Sequence, residues 1–395
     1  MKKTRPINEA ISLRVMAVII CAMLLPASAR SVDFTKVVLD EQFRAEGVAV
    51  ADINQDGKKD VFAGSMVYVA PDWRPVAIRP AKTFDGATEY SDCFYNFAMD
   101  VDQDGWTDSI IVEMMGQRCF WYENPGELGP HWTQHTLWSS INNECPALVD
   151  LWNEGTKVFV FASQPEAQFG WFTPAPDPAD AWLMHPISDK NAPGTDKYSH
   201  GMGIGDINGD GRKDLLIRDG WWEQPASKTD TPWTFHPASG LGPDCAHMFI
   251  ADLDGDGDSD VVSSSAHQFG VWWYERQQAA SGEPTRFTQH VITGDFSQTH
   301  ALCGADINQD GIPDFVTGKR YLAHMGRDPG ADQPPVLLWF EGRRENGSVR
   351  FIPHVIDDQS GVGTQFEIAD VDDNTLPDIA VANKNGVFLF LQEAE

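Results

Sequence analysis

The feature that most constrains this chain is a nine-residue pattern of acids around a glycine that recurs along its length. It stands at Asp52 (DINQDGKKD), Asp100 (DVDQDGWTD), Asp206 (DINGDGRKD), Asp252 (DLDGDGDSD) and Asp306 (DINQDGIPD). A copy at Asp370 (DVDDNTLPD) lacks the glycine, and a degraded one, DLWNEGTKV, begins at Asp150. Successive starts lie 48, 50, 56, 46, 54 and 64 residues apart. A unit of that length cannot bury its apolar face alone, so neighbouring copies must stack on one another.

Each unit has the same internal order. An apolar stretch such as MFIAD leads into the loop, and a β-rich run such as DVVSSS leaves it. An aromatic run follows (CFWYENPG, FGWFTP, GWWEQP, GVWWYER, LLWFEG), then an alternating one (HWTQHTL, AWLMHPI, WTFHPA, RFTQHVI, RFIPHVI). These four segments, strands A to D, predict one four-stranded blade per repeat and an all-β fold, the β-propeller, with the acidic loops between A and B. The last unit ends in GVFLFLQEAE, a C strand with no D strand after it. Near the other end, DFTKVVLD (Asp33–Asp40) reads as a D strand with no unit before it. Pairing the two closes the ring and leaves no open sheet edge, which predicts a single seven-bladed domain over 30–395.

Residues 1–29 read differently. Lys2, Lys3, Arg5 and Arg14 precede an apolar run, Val15 to Leu25, and the small-residue site ASA at 27–29. That is the pattern of a cleavable secretory signal peptide, too short in its apolar part for a good membrane span, so the predicted location is secreted or periplasmic. The whole chain carries a net charge of −29. Without the leader, 25 basic residues face 57 acidic ones, a net of −32. Such a chain repels nucleic acid and anionic membranes, which removes both from the expected partners. Its acid is gathered in repeated loops, which points to bound cations. Cys93, Cys119 and Cys145 fall in neighbouring units, and an exported chain permits one bridge among them.

Oxygen ligands at loop positions 1, 3, 5 and 9, a carbonyl at 7 and glycine at 6 wrap a hard cation in one turn. The expected Ca2+ ligands are Asp52, Asn54, Asp56 and Asp60; Asp100, Asp102, Asp104 and Asp108; Asp206, Asn208, Asp210 and Asp214; Asp252, Asp254, Asp256 and Asp260; and Asp306, Asn308, Asp310 and Asp314. Asp370, Asp372, Asn374 and Asp378 form a further set, with Thr375 in place of glycine. Trp152 and Val158 occupy ligand positions in the degraded loop and leave it empty. Acidic turns without metal are the alternative. On these loops the chain resembles the FG-GAP/VCBS repeat family of calcium-bearing propellers. The resemblance implies a scaffold that serves adhesion modules and enzymes alike.

The histidines sort into two classes. His135, His185, His236, His290 and His354 share one place in successive D strands, where packing or hydrogen bonding is the expected role. His200 and His300 lie six residues before their loops and His247 five before its own, at the start of the innermost strand A. They would converge at the channel end opposite the calcium loops, as a three-His site for Zn2+ or another divalent transition metal. The alternative is three polar residues lining a wet channel. Glu46, Phe94 and Thr364 occupy the same position in other blades.

Polar B–C loops open onto that face with Arg118, Glu166, Arg218, Asp219 and His267. The longest, Gly318 to Pro335, carries Lys319, Arg320, Tyr321, His324 and Arg327. Of these, Glu46, His267, Lys319, Arg320 and His324 are the catalytic candidates. The chain has no GxSxG, Walker or dinucleotide motif. A metal with His, Glu, Lys and Arg around it suits proton abstraction beside a carbonyl and β-elimination from a sugar. The His-bearing propeller resembles that of aldos-2-ulose dehydratase, which implies metal-assisted loss of water from a keto-sugar. Seven-bladed ulvan lyases are similar in architecture and imply elimination on uronate polymers. A non-catalytic module binding carbohydrate or protein is the reading from another class.

Overall fold

The runs flanking each acidic loop form short strands that assemble in chain order into antiparallel meanders. The computed structural model describes residues 32–278 and 283–393, and the leader-like segment 1–29 lies outside them. Apart from one 3-10 turn, Ala323–Gly326, the regular structure of the described residues is β-strand. No helix among them is long and apolar enough to cross a membrane.

Four-stranded sheets span 49–77, 95–138, 147–186 and 302–357. Residues 202–297 form two further meanders joined into one closed eight-stranded arrangement. Short parallel bridges join them, Met202 to His247 on the inner strands and Ala238 and Ser239 to Thr285 and Arg286 on the outer ones. The last sheet comes from both ends of the described chain. Phe366–Ala369, Asp378–Asn383 and Gly386–Gln392 pair in sequence, and Phe34–Asp40 lies antiparallel on Gly386–Gln392 with Phe34 opposite Gln392. The arrangement is that of a β-propeller.

The ninth loop residue ties each unit together. Asp60, Asp108, Asp214, Asp314 and Asp378 are buried. One oxygen of each accepts the backbone N–H of the loop's second residue (Ile53, Val101, Ile207, Ile307, Val371) at 2.7–3.2 Å. The other accepts a backbone N–H from strand C or just beyond it (Ala70, Asn124, Gln224, Gly342, Gln392) at 2.7–2.9 Å. Adjacent blades are linked in turn. The amides of Asn124, Gln224 and Gln392 each donate to the second-residue carbonyl of the preceding loop, on Ile53, Leu151 and Ile307.

The D-strand histidines stack on the C-strand tryptophans, in the pairs Trp121–His135, Trp171–His185, Trp221–His236, Trp273–His290 and Trp339–His354, with ring centroids 3.8–4.5 Å apart. Their Nε2 atoms bond Glu123, Thr173, Glu223, Glu275 and Glu341, two residues after each tryptophan. The cysteines differ from expectation. Cys93, Cys119 and Cys145 are free thiols, because each is buried in a different apolar cluster.

Replacing His290 by alanine removes a ring stack and a hydrogen bond to Glu275 on a half-exposed outer strand. We expect a loss of roughly 1–2 kcal/mol in urea unfolding, with no change in transition-metal content.

Candidate functional site

Strand A starts at the end of its blade opposite the acidic loop, so residues at a fixed distance before the loops meet around the axis. Six residues before the seven loop starts stand Glu46, Phe94, Glu144, His200, Ala246, His300 and Thr364. Three of these come together. Glu144 Oε2 lies 2.8 Å from His300 Nε2 and 3.2 Å from His200 Nε2, and the three ligand atoms fall within 4.8 Å of one another. Glu144 thus stands where the sequence pattern suggested His247. Its loop is the degraded third copy, so its strand A was not aligned with the others, although counting back six residues from Asp150 would have found it.

His247 is one residue out of that register, and its strand is irregular between Cys245 and Met248. A one-residue shift turns a side chain to the other face of a strand. The His247 ring stacks on Tyr95 at 6.3 Å and lies 6.2 Å from that of His300. It lines a separate cavity of about 270 Å3, walled by strand-A residues such as Val50, Phe97, Leu148 and Phe366.

The charge states suit a cation site. Burial opposes ionisation of Glu144, but hydrogen bonds and charge from His200 and His300 outweigh it and hold the carboxyl well below its ordinary range. Burial pushes the His300 imidazolium down to about 3, so His300 is neutral and donates Nε2–H to the Glu144 carboxylate. Other buried polar atoms have no hydrogen-bond partner among the described residues: His300 Nδ1, His247 Nε2 and Glu46 Oε1. Orphaned buried atoms are costly, and His300 Nδ1 belongs to the Glu144–His200–His300 group itself.

Beside this group Arg320 donates from Nε to Glu46 Oε2 at 2.9 Å, and its Nη2 contacts the same oxygen. Both residues are buried, and the guanidinium lies 5.6 Å from the Phe94 ring centre and 5.8 Å from that of Tyr90. The Lys384 ammonium sits 4.5 Å over Tyr90 and donates to the Gly86 and Leu322 carbonyls. His267 and His324 stack with centroids 4.6 Å apart, and both turn Nδ1 to Asp328, at 3.4 and 3.0 Å. The His267 ring lies 4.9 Å from that of His200, so the two groups are contiguous.

The other sequence candidates fall around this centre. Lys319 is fully buried and donates to Gln298 Oε1 at 2.6 Å and Ser297 Oγ at 3.2 Å, beneath the long loop and not facing the mouth. Arg218 and Asp219 line a cavity of about 280 Å3 with Tyr198 and His200. Arg118 lies over Phe120 and Glu166 near Lys190, while Arg327 donates to the His324 carbonyl. Among the acidic loops, Asp100, Asp102 and Asp108 bring carboxylates within reach of one cation, as do Asp252, Asp254 and Asp256, and Asp370, Asp372 and Asp378. In the degraded loop Trp152 packs edge-on against Trp171 and Trp233.

Removing Glu46 leaves a buried guanidinium uncompensated. Glu46→Ala is expected to cost roughly 3–5 kcal/mol in urea unfolding, and replacing Glu46 and Arg320 together by methionine to recover most of it.

A family model described as an FG-GAP-like repeat matches residues 222–317. Among curated proteins no relative matches the sequence. Solved structures similar to the chain include a Pseudomonas aeruginosa periplasmic gluconolactonase, 14% identical, covering 90% of each chain with a TM-score of 0.46. An Agrocybe aegerita lectin that recognises non-reducing terminal N-acetylglucosamine is 15% identical over 83% of this chain and 81% of its own, with a TM-score of 0.45. A rhamnogalacturonan lyase is 10% identical over 93% of this chain and 75% of its own, with a TM-score of 0.42. The strand order described above is that of a β-propeller, and residues 222–317 match an FG-GAP-like repeat.

Proposed function

We propose that the chain is an exported seven-bladed propeller of the FG-GAP/VCBS type, with the eight-stranded arrangement counted as two blades and Phe34–Asp40 fastening the ring. Its acidic loops hold calcium. Its channel mouth holds one divalent transition metal on Glu144, His200 and His300 and performs β-elimination on a sugar or keto-sugar. The observation that carries this reading is the meeting of three ligand atoms within 4.8 Å from one repeat position in three blades.

The residues fit the ion. Tetrahedral ligands at about 2.1 Å from a metal stand about 3.4 Å apart, so the 2.8 and 3.2 Å contacts of Glu144 need only small adjustment. A carboxylate with two imidazoles is a familiar zinc set, and the neutral His300 needs no proton removed from a charged ring. When bound, the ion would act as a Lewis acid on a sugar carbonyl or hydroxyl. The chain supplies the seat beside it, the cavity of Tyr198, Arg218 and Asp219 against His200. Lys384, which is paired with no carboxylate among the described residues, would offset negative charge that develops on a substrate oxygen.

Two measurements test this reading. Ca2+ removal by a chelator should lower the melting temperature, since each site contributes about 2.7 kcal/mol at a hundredfold excess over Kd. An unchanged melting curve would leave the loops as metal-free turns.

For the mouth, elemental analysis of protein purified without added metal should find a transition metal that Glu144→Gln and His300→Ala abolish. The same variants should abolish the absorbance of unsaturated product formed from keto-sugars or uronate oligomers. Full metal occupancy in the Glu144→Ala, His200→Ala, His300→Ala triple variant would refute the site. Metal binding with no product from any substrate would instead favour the carbohydrate-binding module.

A further inference from the structure

The long loop does more than wall the mouth. Asp328 is the shared acceptor of two imidazoles, with Oδ1 3.0 Å from His324 Nδ1 and Oδ2 3.4 Å from His267 Nδ1. These three ligand atoms also fall within 4.8 Å of one another. The group is braced from behind. Gln298 Nε2 donates to Asp328 Oδ2 at 3.2 Å, and the Gln298 carbonyl oxygen accepts from Lys319 at 2.6 Å. Gln298 and Lys319 are both fully buried, so the carboxylate is held by an outer shell of the kind that orients metal ligands.

The backbone supports the same reading. Gln298, Leu322, His324 and Met325 take φ of 61°, 48°, 49° and 54°, in the left-handed region that non-glycine residues seldom occupy. Each such conformation is strained for a residue that carries a Cβ. Four of them gathered under one side-chain cluster indicate that the loop is folded to place His324 and Asp328. No proton-transfer role requires two imidazoles on one carboxylate.

We propose that His267, His324 and Asp328 hold a second divalent cation beside the first, so that the mouth is a two-metal site for a sugar that offers adjacent oxygens. The His200 ring stands between the groups, 5.2 Å from that of His300 and 4.9 Å from that of His267. Two ions so placed clamp a hydroxyl and a neighbouring carbonyl or carboxylate oxygen of one substrate, as paired metals do elsewhere. This inference rests on the first site described under the proposed function, and its test separates the two.

The test is a titration of the full chain with Co2+, with Ca2+ kept present, followed by the visible absorption of nitrogen-bound cobalt. Wild type should take up two equivalents. Asp328→Asn and His324→Ala should each lose the second while keeping the first, and Glu144→Gln should do the opposite. Gln298→Ala should weaken only the second ion, by about 10–100-fold. Melting temperatures near wild type would show that these loop variants remain folded. A single equivalent that Asp328→Asn leaves unchanged would overturn the second site and keep the first. Two equivalents that survive Asp328→Asn would overturn it as well. No cobalt uptake at all would remove both sites together.

Discussion

The rest of the structure depends on a buried carboxylate that recurs at the ninth loop position of every repeat but the third. A β-meander of short strands has little to fix its register, because most of its strands offer only three to seven residues of pairing. The ninth loop residue supplies the missing constraint by accepting one N–H from its own loop and one from strand C. Burial works against that charge and raises the carboxyl to about 6 at Asp60 and about 7 at Asp314, even with those donors in place. The anchor is therefore specific but costly, which is the usual character of a buried ionisable group. The amides of Asn124, Gln224 and Gln392, which reach the preceding loop, then link three pairs of neighbouring blades.

Fixing the loops fixes the mouth. Six residues of extended chain span about 20 Å, so the loop end of strand A sets the height and face of the side chain at its far end. Glu144, His200 and His300 share a face because they share an offset, and His247 is turned away because it does not. The distance also separates the two cation chemistries. Carboxylate oxygens lie at one end of the strands, while imidazole nitrogens gather at the other, so on the proposed reading the two ends would suit different ions.

What was legible in the sequence follows from the same logic. The repeated loop announces itself by composition, and the strand letters follow from period-two alternation, so the propeller could be read without any coordinates. The stacked Trp–His pairs were legible as a recurring place, though their glutamate partners were not singled out. The mouth was only half legible. His200 and His300 were found because histidine is rare enough to stand out. Glu144 was not, because it hides among many acids and precedes the one loop whose motif has decayed. Asp328 was missed for another reason. It lies in the non-repeating loop, where no offset predicts a contact, and only the folded path through Leu322 and Met325 brings it to His267. Lys319 looked like a mouth residue by position, yet its ammonium turns inward to Gln298.

The strong negative charge of the chain bears less on substrate choice than it first suggests. A net of −29 spread over the surface is screened beyond about 8–10 Å at physiological salt, so a sugar at the mouth responds to local groups. There Glu46 and Arg320 cancel, His300 is neutral, and Glu144 and Asp328 contribute one negative charge each. An unliganded mouth would therefore repel a uronate. One divalent ion on Glu144 reverses the sign of that group, and a second on Asp328 reverses the other. On the proposed two-metal reading the two groups together carry about two positive charges, enough to seat a carboxylate-bearing sugar despite the acidic exterior. With only the first ion bound, the local balance is close to neutral and favours an uncharged keto-sugar. The number of ions held, more than the overall charge, thus decides between the two substrate classes.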